Sequence, residues 1–330
     1  MAEILHDVVG IGNAIVDIIG RCKEDFLVRH GAPKGRMRLV DAATVTDLYE
    51  DMGPGMEISG GSVANTMVGI ASFGGRAAFI GKVAEDEFGK IFAHDIRAAG
   101  VTFNTKPSAG GAPTARSLIL VTPDGERTMN TFLGVSPELA RGEVDADLIS
   151  SARIVYLEGY LFDRPEAKAA FRQAADIAVK AGRQVALTLS DPFCVERHRS
   201  EFVEFVRSRV DILVANEAEI IALYQTQTFE EAARIARAAT KLAVLTRSAK
   251  GSVIFHGSNA TTIAADRIKH VVDTTGAGDL YAAGFLYGLA TGKSIETSGR
   301  LGSLAAAEII SHIGARPETP LAKLAAARGI

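Results

Sequence analysis

The sequence predicts an α/β protein, with a mostly parallel central sheet, helices on both of its faces and a small β-sheet lid. Three observations predict it. Short apolar runs rich in β-branched residues alternate with longer segments of helical periodicity, the pattern of strands covered on both faces by crossover helices. The helical segments stop at glycines, the usual C-terminal punctuation. Two stretches rich in glycine, proline and strand-like runs break the alternation and cannot belong to the same repeating pattern.

Taken in order, the first strand is read at 7–12. Residues 12 to about 45, with Gly31, Pro33 and Gly35, form the first irregular stretch. A helix is expected over 62–73, ending at Gly74 and Gly75, then a strand over 77–83 and a helix over 86–99, ended by Gly100. The second irregular stretch is 101–133, where Asp124-Gly125 between two apolar runs signals a hairpin. Segments 12–45 and 101–133 are expected to form the lid, partly exposed and therefore mobile. Strands over 153–158, 185–189, 211–215 and 241–246 continue the sheet. A helix over 165–181 opens on Pro165 and stops at Gly182; others are expected over 230–240, 277–290 and 295–313. No repeat or long linker interrupts the 330 residues, so 1–330 is read as one domain carrying the lid.

Apolar residues make up 47% of the chain and charged residues 23%, with a formal net charge of −3. That balance offers no general attraction to nucleic acid or to an anionic membrane. Any phosphate chemistry must come from a local site. Cys22 and Cys194 show neither metal-ligand spacing nor a disulfide framework, which suits a reduced, cytoplasmic protein. The first residues lack a signal-peptide pattern, and no run of about 18 apolar residues suggests a membrane span.

The segment 273–279, Asp-Thr-Thr-Gly-Ala-Gly-Asp, carries the most chemistry. Small residues open an apolar helix, so the backbone can approach a ligand closely. The first N–H groups of a helix have no internal partner and sit at its positive end. Gly276, Ala277 and Gly278 can therefore direct donors at a developing negative charge. Asp279, in the first turn, can take a proton from an attacking hydroxyl. A glycine-rich turn followed by an acidic helix-start residue is the plainer reading of the same residues. Residues 288–294 mimic a phosphate-binding P-loop but are one residue short and leave a helix. Gly10-Ile11-Gly12 begins like a dinucleotide fingerprint, but Ile15 stands where its third glycine belongs.

Segment 273–279 resembles the C-terminal signature of the PfkB, or ribokinase-like, carbohydrate kinases, and Gly60-Gly61-Ser62-Val63-Ala64-Asn65 is similar to the N-terminal one. The two stand in the family's order, and the resemblance covers essentially the whole chain. It implies a ribokinase-like three-layer fold and an ATP-dependent kinase, with Asp279 deprotonating the acceptor and 276–278 stabilising the transferred phosphoryl group. It implies ATP as co-substrate, Mg²⁺, and in some members a monovalent cation.

Asn216-Glu217-Ala218-Glu219 resembles the family's Asn-x-x-Glu motif, which implies Asn216 at phosphate and Glu219 on Mg²⁺ through water; a helix cap is the plainer reading. Residues 246–251 resemble the nucleotide-binding loop and imply Thr246 and Gly251 as ATP contacts, although Ser248 stands where the family has glycine. The adenine of ATP is expected near 263–271 and 307–313. Asn13 and Asp17, with Gly61 and Asn65, can bracket vicinal hydroxyls, although Asn and Asp also dominate ordinary turns. Segment 12–17 looks more like adenosine kinases than ribokinases or fructokinases, and 124–128 with 129–134 is similar to bacterial adenosine-kinase-like sequences. The resemblance implies adenosine as acceptor, with Asp17 and Asn65 on the ribose hydroxyls, Asn13 and Gly61 assisting, and Phe193, or Tyr160, Leu161 or Phe162, as candidates for an apolar base slot. A sugar kinase of the same fold, or a nucleoside-binding protein without activity, are the competing readings.

Overall fold

The computed structural model describes residues 3–330. Its strands, numbered in chain order, are β1 (His6–Ile11), β2 (Ile15–Arg21), β3 (Met37–Leu39), β4 (Gly55–Gly60), β5 (Ala77–Ile80), β6 (Thr102–Phe103), β7 (Ala115–Val121), β8 (Arg127–Phe132), β9 (Ala152–Glu158), β10 (Gln184–Thr188), β11 (Ile212–Asn216), β12 (Leu242–Thr246), β13 (Ser252–His256) and β14 (Asn259–Ile263). The larger sheet has the order β14-β13-β12-β11-β10-β9-β1-β5-β6. It is parallel from β12 to β6, and only the β12-β13-β14 meander is antiparallel.

Alternation along each strand divides the core into two layers. Val8, Ile154 and Ala186 face one layer with Met67, Leu280 and Leu301. Val9, Val155 and Leu187 face the other with Phe171, Phe202 and Ala232. Because both faces are covered, the strands read as unbroken apolar runs rather than as alternating ones. The helices Ser62–Ser72, Ala277–Ala290 and Ile295–Ile309 lie on the first face. Pro165–Lys180, Pro192–Arg209 and Phe229–Ala239 lie on the second. The chain runs from β1 to β5 on one side and later returns to β9 on the other. The carboxyl ends of β1 and β9 therefore form a switch point, where open parallel sheets bind ligands.

The second sheet has the order β3-β8-β7-β2-β4. Its composition differs from the expected segments 12–45 and 101–133 in two respects. β4 lies beyond residue 45 and pairs with β2 from Ile15–Gly60 to Gly20–Gly55; with glycine at both ends and only two apolar residues, Met56 and Ile58, it has no strand signal of its own. β6 lies inside 101–133 but joins the larger sheet beside β5. The helix expected over 295–313 ends at Ile309, where the Ile310 carbonyl accepts from Val272 and Asp273 instead of continuing the helical ladder. The helix Pro192–Arg209 was not evident in the pattern. His198 departs from helical geometry inside it, and the bend splits its apolar set between Cys194–Val195 and Phe202–Val206. No helix among the described residues is long and apolar enough to cross a membrane.

Candidate active site

The acceptor side is built at the end of β1. Gly12 leaves no room for a side chain, since a Cβ there would lie 2.3 Å from Glu158 Oε2. The next residue, Asn13, donates to Glu158 Oε1 from its side chain (2.7 Å) and its backbone (3.2 Å), and its own Oδ1 accepts from Ser136 (3.1 Å). Glu158 also accepts from the Val63 N–H (3.1 Å), and burial pushes its carboxyl up to about 7. Asn13 thus anchors the strand end, and Glu158 joins it in the floor of the cleft.

Asp17, on β2, is the reverse case. No donor among the described residues hydrogen-bonds its side chain, yet it is only 9% exposed and burial raises it to about 7. A buried carboxylate without donors is costly, so its oxygens are open to hydroxyls of a ligand. The β4 turn packs directly against it. A Cβ on Gly60 would meet Asp17 Oδ2 at 2.2 Å, and one on Gly61, whose φ is +102°, would meet the Asn13 carbonyl at 2.2 Å. Gly61→Ala is therefore expected to destabilise the fold by about 1–3 kcal/mol and to weaken acceptor binding. Calorimetry and the acceptor KM read the two effects; an unchanged Tm with an unchanged KM would remove the steric argument.

Past Gly61 the helix Ser62–Ser72 presents its first turn to Asp279. Ser62 Oγ donates to Asp279 Oδ1 (2.6 Å), Asn65 Nδ2 donates to Oδ2 (3.0 Å), and Thr66 Oγ1 donates to the Asp279 carbonyl (3.1 Å). Asn65 Oδ1 is buried and has no hydrogen-bond partner among the described residues. Burial raises the Asp279 carboxyl above its ordinary range, while these bonds and the Arg316 charge pull it back. Asp279 opens the helix Ala277–Ala290 after Gly276, whose φ of +76° supplies the sharp turn. The cradle differs in one member from the expected 276–278. The Ala277 N–H is taken by the Thr274 carbonyl (3.2 Å), whereas those of Gly276, Gly278 and Asp279 find no acceptor among the described residues.

A cation from the second sheet reaches this cradle. Arg127 forms a buried ion pair with Asp273 and donates to Thr275 Oγ1 (3.1 Å), while its Nε and Nη2 are buried with no hydrogen-bond partner among the described residues. Asp273 also accepts from the N–H groups of Thr275 (3.0 Å) and Gly314 (3.2 Å).

Asn13, Asp17, Gly61, Asn65, Phe193 and Asp279 line one cleft of about 560 Å3. Its most exposed apolar lining is Met37 (51% exposed) and Leu39 (62%) from the second sheet and Phe193 (69%) from the helix Pro192–Arg209, beside charged residues such as Arg164 and Arg197. Phe193 is held by Asp191, which caps its helix by accepting from the N–H groups of Phe193 (2.7 Å) and Cys194 (3.1 Å). Phe162, in contrast, is fully buried against Phe171 and Phe202; it is core, not a slot residue.

The residues expected on the ATP side, Asn216, Glu219, Thr246 and Gly251, lie outside this cleft, at and just beyond the ends of β11 and β12. Asn216 and Glu219 cap each other: Asn216 Oδ1 accepts from the Glu219 N–H (2.9 Å), and Glu219 accepts from the Asn216 N–H (3.0 Å) and Nδ2 (2.6 Å). Glu219 is buried and pushed up to about 7. Thr246 closes β12 opposite Ser252. Gly251, at φ +82°, abuts the Ile263 carbonyl, which a Cβ would approach to 2.0 Å. Ser248 adopts φ +50°, the left-handed region that glycine enters without penalty. A separate depression of about 530 Å3 is lined by residues that include Arg267, His270, Leu304, Ala307 and His312, around the segments where the adenine of ATP was expected.

Sequence reasoning missed Glu158, Arg127, Ser62 and Arg316. Glu158 carried a signal of its own, a carboxylate closing an otherwise apolar strand; Ser62 and Arg127 stand inside segments noted for their resemblance, but their contacts at the site, like those of Arg316, span 148 to 257 residues of chain.

A family model described as pfkB family carbohydrate kinase matches residues 55–322. Among solved structures, the adenosine kinase of Sinorhizobium meliloti is 52% identical, with a TM-score of 0.90 and coverage of 98% of this chain and 99% of that one. A probable sugar kinase of Rhizobium etli CFN 42 is 50% identical, with a TM-score of 0.91 and coverage of 100% and 99%. Among curated proteins, an uncharacterized sugar kinase of Archaeoglobus fulgidus is 30% identical over 257 residues, 77% of this chain and 98% of that protein.

Proposed function

This chain belongs to the pfkB family of carbohydrate kinases, and from that premise we propose that it transfers the terminal phosphoryl group of ATP to the 5′-hydroxyl of adenosine. The family makes it an ATP-dependent phosphotransferase acting on a sugar or nucleoside. The observation that carries the finer assignment is the division of the cleft. Its floor offers the donor-free Asp17 carboxylate and the unpaired Asn65 Oδ1, which suit ribose hydroxyls. Its mouth offers Met37, Leu39 and Phe193, apolar area that a purine would cover and a free sugar would leave wet. The likeness to the Sinorhizobium meliloti enzyme supports the same acceptor.

In this reading Asp17 and Asn65 hold the ribose, and Asp279 takes the 5′-hydroxyl proton as its oxygen attacks the γ-phosphorus, the bond to the β–γ bridging oxygen breaks and ADP leaves. The N–H groups of Gly276, Gly278 and Asp279 and the Arg127 guanidinium face the charge on the transferred group. Phosphoryl transfer needs mainly such positioning and charge stabilisation. Asn216, Thr246 and Gly251 border ATP. Glu219, with lone pairs beyond its two bonds to Asn216, suits a water-mediated contact to Mg²⁺, which would supply positive charge to the phosphates. The second sheet acts as the lid: closing it on the mouth excludes water from the reacting groups.

A coupled assay with ATP, Mg²⁺ and a panel of adenosine, other nucleosides, ribose and fructose tests the acceptor. AMP formation at the highest kcat/KM of the panel is expected. Faster turnover of a free sugar would favour the second reading, a sugar kinase, which the oxygen-rich floor of Asn13, Asp17 and Glu158 also suits. Asp17→Ala is expected to raise the acceptor KM roughly 10- to 100-fold with a smaller change in kcat. Because burial raises Asp17 to about 7, protonation removes its charge and part of its acceptor capacity as pH falls through that value. Acceptor KM should therefore rise toward acid in the wild type and stay flat in Asp17→Ala.

A further inference from the structure

Three consecutive residues near the C-terminus touch both halves of the site. The Gly314 N–H donates to Asp273 Oδ2 (3.2 Å). Ala315 packs on Gly276, where an added Cβ would lie 2.9 Å from the alanine methyl. Arg316 then crosses to the acceptor side. Its Nε donates to the Ser59 carbonyl (2.9 Å), its Nη1 to the Ala64 carbonyl (3.1 Å), and its Nη2 to the Ser59 carbonyl and Oγ (2.8 Å to Oγ). Ser59 is fixed in turn by Asp95, which accepts from its N–H (2.8 Å) and Oγ (2.6 Å). The fork thus spans the turn in which Gly60 backs Asp17 and from which Ser62 and Asn65 bond Asp279.

We propose that Arg316 is a positioning residue for phosphoryl transfer, locking the acceptor turn 59–65 to the phosphate loop 273–279 through Gly314-Ala315-Arg316. The proposal rests on Asp279 being the base. A planar fork with three bonded nitrogens holds two carbonyls in one fixed geometry, whereas an ammonium offers its donors from a single atom on a flexible stem. The same guanidinium is a charge in a crowded acidic site. It faces Asp95 from the helix Glu87–Ala98, Asp17 from β2 and Asp279 from the helix Ala277–Ala290. Asp279 in addition faces Asp17, Tyr156 and Glu158 of β9, Tyr160 just after it, and Glu219 after β11, while Arg127 of β8 acts on Asp17. Against that background Arg316 favours the ionised forms of both Asp17 and Asp279.

The test compares Arg316→Gln, Arg316→Lys and Asp279→Asn with the wild type, using the best acceptor of the panel, with kcat and kcat/KM followed over about pH 5 to 9 and folding checked by thermal melts. Arg316→Gln is expected to lower kcat about 10- to 100-fold and to move the acid limb of kcat/KM upward by about one pH unit. Arg316→Lys should keep the limb near its wild-type position while kcat stays reduced, because it restores charge without the fork. A wild-type acid limb in the glutamine variant, or a lysine variant with wild-type kcat, overturns the proposal. Should the glutamine variant not fold, the lysine variant alone decides by the same kcat criterion. Loss of activity in Asp279→Asn beside unmoved Arg316 profiles defeats this inference alone; full activity in Asp279→Asn defeats the base assignment beneath it.

Discussion

Replacing Asp279 by asparagine is expected to lower kcat by about 10² to 10⁴, the scale of losing a general base, while the acceptor KM changes little. The substitution is nearly isosteric. An asparagine Oδ1 can still accept from Ser62 or Asn65, which donate at 2.6 and 3.0 Å, so the helix start and the turn facing it should hold. What disappears is the capacity to take a proton. Steady-state kinetics on the purified variant reads the effect, with acceptor binding measured separately by calorimetry. A kcat within tenfold of the wild type would mean that another group, or solvent, accepts the proton.

Arg127→Met is expected to act twice. It removes a guanidinium whose Nε and Nη2 have no hydrogen-bond partner among the described residues and which is tied to Thr275 and Asp273 of the same loop as N–H groups that also lack acceptors among them. Donors left open around one point have their largest effect on charge that develops there, so kcat should fall by about 10² to 10³. It also leaves Asp273, with 3% of its side chain exposed, as an uncompensated buried charge, which costs about 3–5 kcal/mol of stability. Calorimetry and kinetics separate the two. A destabilised variant with wild-type kcat would make Arg127 a structural latch only. Arg127→Lys, keeping a charge for Asp273 but not the fork, should recover more stability than rate.

The parallel sheet was legible because its strands are buried on both faces and its helices are punctuated by Gly74, Gly100 and Gly182, all at positive φ in the structure. The proposed base and its cradle could be picked out for a local reason: helix-start chemistry lies within the seven residues 273–279. Even there, sequence could not show that the Ala277 N–H is taken by the turn itself. β4 was not legible, because its pairing with β2, rather than its own residues, makes it a strand. Nor was the division of labour between two similar side chains. Asn13 and Asp17 stand in the same short segment, yet Asn13 is tied to Glu158 and Ser136 while Asp17 has no donor and faces the cleft. Which polar group is left unsatisfied depends on partners more than a hundred residues away, and no local pattern encodes that.

The most direct measurement is a crystal structure of the protein with adenosine and a non-hydrolysable ATP analogue. The account predicts the 5′-oxygen within about 2.6 to 3.2 Å of an Asp279 carboxylate oxygen, the ribose hydroxyls on Asp17, and the γ-phosphate facing the N–H groups of Gly276 and Gly278. A bound acceptor whose reacting hydroxyl points away from Asp279, or a phosphate chain that ends outside that helix start, would contradict it.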